Sequence, residues 1–228
     1  MFLWAIAVIP LVPAYLWFRH KKYGVWKFFL PAFSGIISVF IAGLAQNLFP
    51  LHISDNGMAD LLFGVFIRVS LTEELTRTVM LFLVFNFFPF VKIMYYRQTV
   101  NPGDLEPVFF GAPSGLAAGL GFAAGESIFY GLPDFRIALL RIVTAAPLHA
   151  ACGARIGSAL GMVKKQPVSA FVLFFSAFFI HGMYNFCIEN PGLPRFFPAF
   201  IAFAALISSI LNIYYGDPKP GITGKNKC

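Results

Sequence analysis

Apolar runs long enough to cross a lipid bilayer follow one another almost without interruption along these 228 residues, and few folds accommodate that pattern. A membrane-spanning helix needs about 20 mostly apolar residues. Seven such stretches can be drawn, at about 1–18, 24–49, 57–89, 107–131, 135–162, 167–187 and 195–215. With 58% apolar and only 12% charged residues, the chain is too hydrophobic for a water-soluble domain of this size. The expected fold is an all-α membrane protein. It is a single bundle of seven transmembrane helices within one integral membrane domain, 1–228, with no room for a separate soluble domain. Residues 1–50 form its N-terminal helices, about 60–190 its core, 195–215 its last helix and 216–228 a cytoplasmic tail.

The net charge of +7 raises the question of nucleic acid or anionic lipid, but the basic residues sit in short clusters between apolar runs, which is how topology is encoded. Arg19, Lys21, Lys22, Lys27, Lys92, Arg97, Lys164, Lys165, Lys219, Lys225 and Lys227 fall on one side of the seven spans; Arg136 and Arg195 fall on the other. That asymmetry predicts the N-terminus outside and the C-terminus in the cytoplasm. The first run has no basic residues before it and a basic cluster after it, so it reads as an anchor rather than a cleavable signal. No nucleic-acid partner is expected. The connector 90–106, with Val-Lys-Ile-Met-Tyr-Tyr-Arg and Asn-Pro-Gly-Asp, is expected to be an interfacial segment. Cys152, Cys187 and Cys228 have neither CxxC spacing nor a visible activating base, so neither a disulfide framework nor a thiol nucleophile is expected.

The third run breaks the apolar pattern. Arg68, Glu73, Glu74 and Arg77 lie within ten residues at mid-span. At roughly 2.5–3.5 kcal/mol per charge, the four cost about 10–14 kcal/mol on insertion, while the seventeen Leu, Ile, Val and Phe between 61 and 88 return about 5–10. Alone the helix is marginal in lipid, so its polar face must meet other polar groups or a wet cavity. Partners stand in the next three runs: Glu126 after Phe122-Ala-Ala-Gly, then Arg141 and His149, then His181-Gly-Met-Tyr-Asn185. Gly115 with Gly119, and Gly121 with Gly125, form two small-xxx-small pairs that let neighbouring helices approach beside Glu126.

Carboxylates and imidazoles gathered in one place permit water to be activated for attack on an amide. One carboxylate is the general base, one histidine protonates the leaving amine, and a second histidine or Asn185 holds the developing oxyanion. Depth counted from the outer ends puts Glu73, Glu74 and His149 near mid-membrane, with His181, Asn185 and Glu126 displaced outward. The same residues would also serve a proton or ion relay in a transporter, or hold a non-catalytic bundle together. The Phe stripe Phe171, Phe174, Phe175, Phe178 and Phe179 is expected to face lipid or to pack. Arg155 is open between a structural and a site role, and His20 and His52 read as loop residues.

The order Glu-Glu-x-x-Arg, Phe-x-x-x-Glu, Arg followed eight residues later by His, and His-Gly-x-x-Asn resembles the PrsW family of bacterial intramembrane proteases, over about residues 60–190. That family is related to the CAAX prenyl endopeptidases, and its best-known activity is site-1 cleavage of a membrane-spanning anti-sigma factor. The resemblance implies a catalytic set of Glu73, Glu74, Glu126, His149 and His181, supported by Arg77, Asn185 and Arg141. It implies a membrane-anchored protein substrate and a place in the bacterial cytoplasmic membrane. Arg77 stands where Lys is usual and Asn185 where Asp is common, so a possible carboxylate ligand is missing. No HExxH motif is present. Glutamate-activated water is therefore favoured over a cofactor; if a divalent metal such as zinc is used, Glu126, His149 and His181 are the expected ligands.

Overall fold

The computed structural model describes residues 2–21, 24–50, 52–54, 56–87 and 107–215, and every regular element among them is helical. The expected interfacial connector 90–106 and the tail 216–228 lie outside the described residues. The first apolar run forms α1 (Phe2–Val8) and α2 (Leu11–His20), broken at Ile9 and Pro10. It is followed by α3 (Trp26–Gln46). The charged third run is one continuous rod in three parts: α4 (Gly57–Leu62), a π-helical segment (Phe63–Leu71) and α5 (Thr72–Phe87). Then come α6 (Pro107–Gly131), α7 (Phe135–Val143), α8 (Ala145–Met162), α9 (Pro167–Glu189) and α10 (Phe197–Tyr215).

Among the described residues four helical stretches are long and apolar enough to cross a membrane: Leu3–His20, Trp26–Gln46, Pro167–Glu189 and Phe197–Tyr214. The α7–α8 pair makes a fifth if it is one span, bent by 48°. The bend has a local cause. Pro147, in the first turn of α8, has no N–H to offer the carbonyl four residues back at Val143, and the helix is interrupted there. The other two expected spans, 57–89, described to residue 87, and 107–131, are less apolar because lipid is not what surrounds their polar and small residues. Gly111 to Gly125 on α6 are buried throughout.

Helix α6 is the centre of the bundle, packed between α3 and α8. Its glycines face opposite neighbours. A Cβ on Gly119 would collide with the backbone carbonyl of His149 on α8, and one on Gly121 with the carbonyl of Ala32 on α3. The two small-residue pairs thus seat two helices, one on each side. Leu81, Ala118, Leu148, Cys152, Ile156, Ala177 and Tyr184 close an apolar core shared by α5, α6, α8 and α9. The Phe stripe of α9 divides as its helical spacing dictates. Phe171, Phe175 and Phe179 point outward, whereas Phe174 packs on that core and Phe178 on Phe66.

Candidate active site

The first turn of α5 carries Glu73, Glu74 and Arg77 directly after the π segment, a winding that is rare and often found at functional sites. Thr72 Oγ1 donates to the carbonyls of Arg68 and Val69, occupying acceptors at the junction where the hydrogen-bond register changes. Glu74 and Arg77 are fully buried and ion-paired, with Nη1 lying 2.9 Å and 3.1 Å from the two carboxylate oxygens. Arg77 also rests on the Phe122 ring, 4.3 Å from its centre.

Two histidines join this pair to the other helices. His181 of α9 donates from Nδ1 to Glu74 Oε1 at 2.6 Å. His149 of α8 accepts from Arg77 Nη2 at Nδ1, 3.0 Å away, and its Nε2 lies 2.8 Å from Glu126 Oε2 of α6. Because a guanidinium only donates, Nδ1 must be the acceptor, so His149 is the neutral tautomer with its hydrogen on Nε2, donated to Glu126. Glu126 is completed by an ion pair with Arg141 of α7. The two imidazole rings stand perpendicular with centres 5.0 Å apart.

Glu73 stands apart from these pairings. Its Oε1 accepts from Gln46 Nε2 at 3.1 Å, while its Oε2 is buried with no hydrogen-bond partner among the described residues, 3.6 Å from His181 Nε2. Leaving such an atom dry and unpaired is costly, so it marks a place where something else belongs. The three carboxylates Glu73, Glu74 and Glu126 face two guanidiniums, Arg77 and Arg141, which leaves a surplus acid at Glu73 if all are ionised.

Glu73, Glu74, Glu126, His149 and His181 thus come together in one cluster, with Arg77 at its centre and Arg141 behind Glu126. Asn185 does not reach it; its amide donates to Ser70 Oγ of the π segment at 3.2 Å. Arg155 ties α8 to α10 through Ser208 and Ser209, 2.6 Å from each hydroxyl, away from the cluster. Cys152 Sγ faces the Ala177 carbonyl, and His52 is exposed beside Asp60. Gln46 is absent from the sequence-based list. The one signal for it was a hydrogen-bonding amide at the end of an apolar run.

The cluster lies close to one end of the bundle. Gln46 is the last residue of α3, and Glu126 precedes the end of α6 by five residues, about 8 Å of helix.

The donors fit a divalent metal once His149 gives up the Nε2 hydrogen it shares with Glu126. One atom each from Glu73, His149 and His181, all buried, lie within 4.8 Å of one another. Glu74 behind His181 Nδ1 supplies the carboxylate that orients a metal-binding imidazole and leaves Nε2 toward the centre. This set has Glu73 where the sequence pointed to Glu126, which is turned toward His149 and Arg141.

Residues 20–210 match the family described as PrsW family intramembrane metalloprotease. No curated protein and no solved structure matches the chain. With that match spanning most of its length, and buried acids and imidazoles gathered within it, the chain belongs to the PrsW family of intramembrane metalloproteases.

Proposed function

We propose that the chain hydrolyses a peptide bond of a membrane-anchored protein close to the outer face of the bacterial cytoplasmic membrane, with Glu73, Glu74, Glu126, His149 and His181 as the hydrolytic centre. The observation that carries this reading is Glu73 Oε2, buried and unpartnered, facing His181 Nε2. In the bilayer the chain is a seven-span, N-out, C-in bundle forming one domain. Glu126, one to two turns from the end of α6, and Gln46, at the end of α3, suit site-1 cleavage of an anti-sigma-factor-like substrate, just inside the outer leaflet.

Each group has a role that follows from its partners. A water held at Glu73 Oε2 gives up a proton to the carboxylate as its oxygen attacks the amide carbon. His181, its Nδ1 hydrogen held by Glu74, takes that proton from Glu73 at Nε2 and passes it to the departing amine nitrogen. His149 presents an N–H from Nε2, now spent on Glu126, that is in position to steady negative charge on the carbonyl oxygen. Arg77 holds Glu74 and His149 in register, and Arg141 holds Glu126.

A metal-dependent version of the reaction uses the same residues and is favoured by the compact Glu73, His149 and His181 donor set. These three would hold the ion, which when bound polarises the amide and makes its water a stronger acid. The test is cleavage of a single-pass substrate in liposomes by wild type, Glu73→Gln and His181→Ala, together with metal content and sensitivity to chelators. Both variants are expected to lose at least 100-fold in rate. Unchanged cleavage by both would remove the assignment. Loss of activity on chelation, restored by zinc, selects the metal-dependent version, and full activity in metal-free protein selects glutamate alone.

A further inference from the structure

Resting on the reading that Glu73 works at the hydrolytic centre, we propose that Gln46 is a positioning residue for Glu73 and that Arg68 fixes Gln46 in turn. Nothing in the motifs of the third to sixth runs includes Gln46, yet its side chain supplies the one hydrogen bond made by the Glu73 carboxylate among the described residues, from Nε2 to Oε1 at 3.1 Å. A carboxylate held by neither oxygen is free to turn about its last torsion. Holding Oε1 fixes the plane and leaves Oε2 toward His181 Nε2.

Gln46 is itself pinned. It is the last residue of α3, and Arg68 Nε of the π segment donates to its backbone carbonyl at 3.2 Å. A helix's final carbonyls lack partners within the helix, and a cation there also suits the helix dipole. The arginine ion pairs among the described residues join Arg77 to Glu74 and Arg141 to Glu126, while Arg68 is engaged by a carbonyl. Its location five residues before Glu73 is thereby explained. The same rod that carries the acid also clamps the helix end that orients it.

The experiment compares steady-state cleavage of a membrane-anchored substrate by wild type and Gln46→Met, which keeps the side chain's length and removes its donor. Expected are a kcat lowered about 10–100-fold, a KM within about two-fold and an unchanged melting temperature. In a Glu73→Asp background, where the shortened acid no longer reaches the amide, adding Gln46→Met is expected to change kcat less than about two-fold. A wild-type kcat in Gln46→Met, or the same fold-loss in both backgrounds, overturns the proposal. Should Gln46→Met fail to accumulate, Gln46→Asn is read instead: it keeps an amide one methylene short, and a wild-type kcat there overturns the proposal equally. Full cleavage by Glu73→Gln is a separate outcome, and it removes the reading of Glu73 whatever Gln46 does.

Discussion

At the scale of single residues, Arg77 is the side chain on which the cluster depends. It is buried completely, grips both oxygens of Glu74, donates to His149 and lies on Phe122. Replacing it with Met leaves the buried Glu74 without its counter-charge and held by His181 alone, a change that costs up to roughly 3–5 kcal/mol. Arg77→Met is therefore expected to lower the melting temperature in detergent as well as to abolish cleavage. Arg77→Lys keeps the charge but not the planar fork, so it is expected to fold and still lose activity, because one ammonium cannot serve both Glu74 oxygens and His149 Nδ1 together. A Lys variant that cleaves like wild type would reduce Arg77 to a counter-charge. The sequence revealed Arg77, the acids and the imidazoles because lipid makes each of them expensive alone, so their presence in apolar runs already demanded mutual contact. It did not reveal Gln46, which is uncharged and sits at a helix end where polar residues are common. It also did not reveal that Asn185 stops at Ser70, since sharing a face with His181 sets a direction and not a partner.

Among the elements, α6 and α8 must come within backbone contact for His149 to meet Glu126. The carbonyl of His149 lies where a Cβ on Gly119 would be, so the close approach of α6 to the His149 backbone is made at a residue that has no side chain. Gly119→Val is expected to force the helices apart at the level of His149, lengthening its 2.8 Å bond to Glu126 and costing at least 1–3 kcal/mol by overpacking. Gly43→Val is the control, because open space surrounds Gly43 on α3. Thermal unfolding and cleavage measured on both variants separate the cases, and equal behaviour of the two would show that the close approach is dispensable. Helix ends and lengths were legible in the sequence because each apolar run must match the bilayer. The bend at Thr144 and the π segment were not, since Pro147 lies inside one uninterrupted apolar run and nine residues that are nearly all apolar carry too little pattern to tell π from α winding.

For the whole molecule, the placement of the cluster makes orientation a functional question. Gln46 and Glu126 lie near the ends of α3 and α6 that lead into the short loops at 47–56 and 132–134, so the same geometry cuts near the outer surface or near the inner one according to which side those loops face. The basic residues point to the outside: the loop at 47–56 has no Lys or Arg, while Arg19, Lys21, Lys164 and Lys165 cluster at the opposite helix ends. Positive charge is retained on the cytoplasmic side because translocating it is unfavourable, and this holds for short loops such as these. Thiols allow a direct measurement. Cys152 and Cys187 are buried, and the third cysteine, Cys228, stands in the sequence beside Lys225 and Lys227. An impermeant maleimide is expected to leave wild type unlabelled in sealed spheroplasts and to label it in inside-out vesicles, whereas Ser54→Cys, at an exposed position between α3 and α4, is expected to add a label in spheroplasts. The reverse pattern would turn the bundle over and carry the cleavage point to the cytoplasmic face. Labelling of both positions from one side would mean that an odd number of spans does not separate them, and the seven-span arrangement would fall while the cluster itself stood.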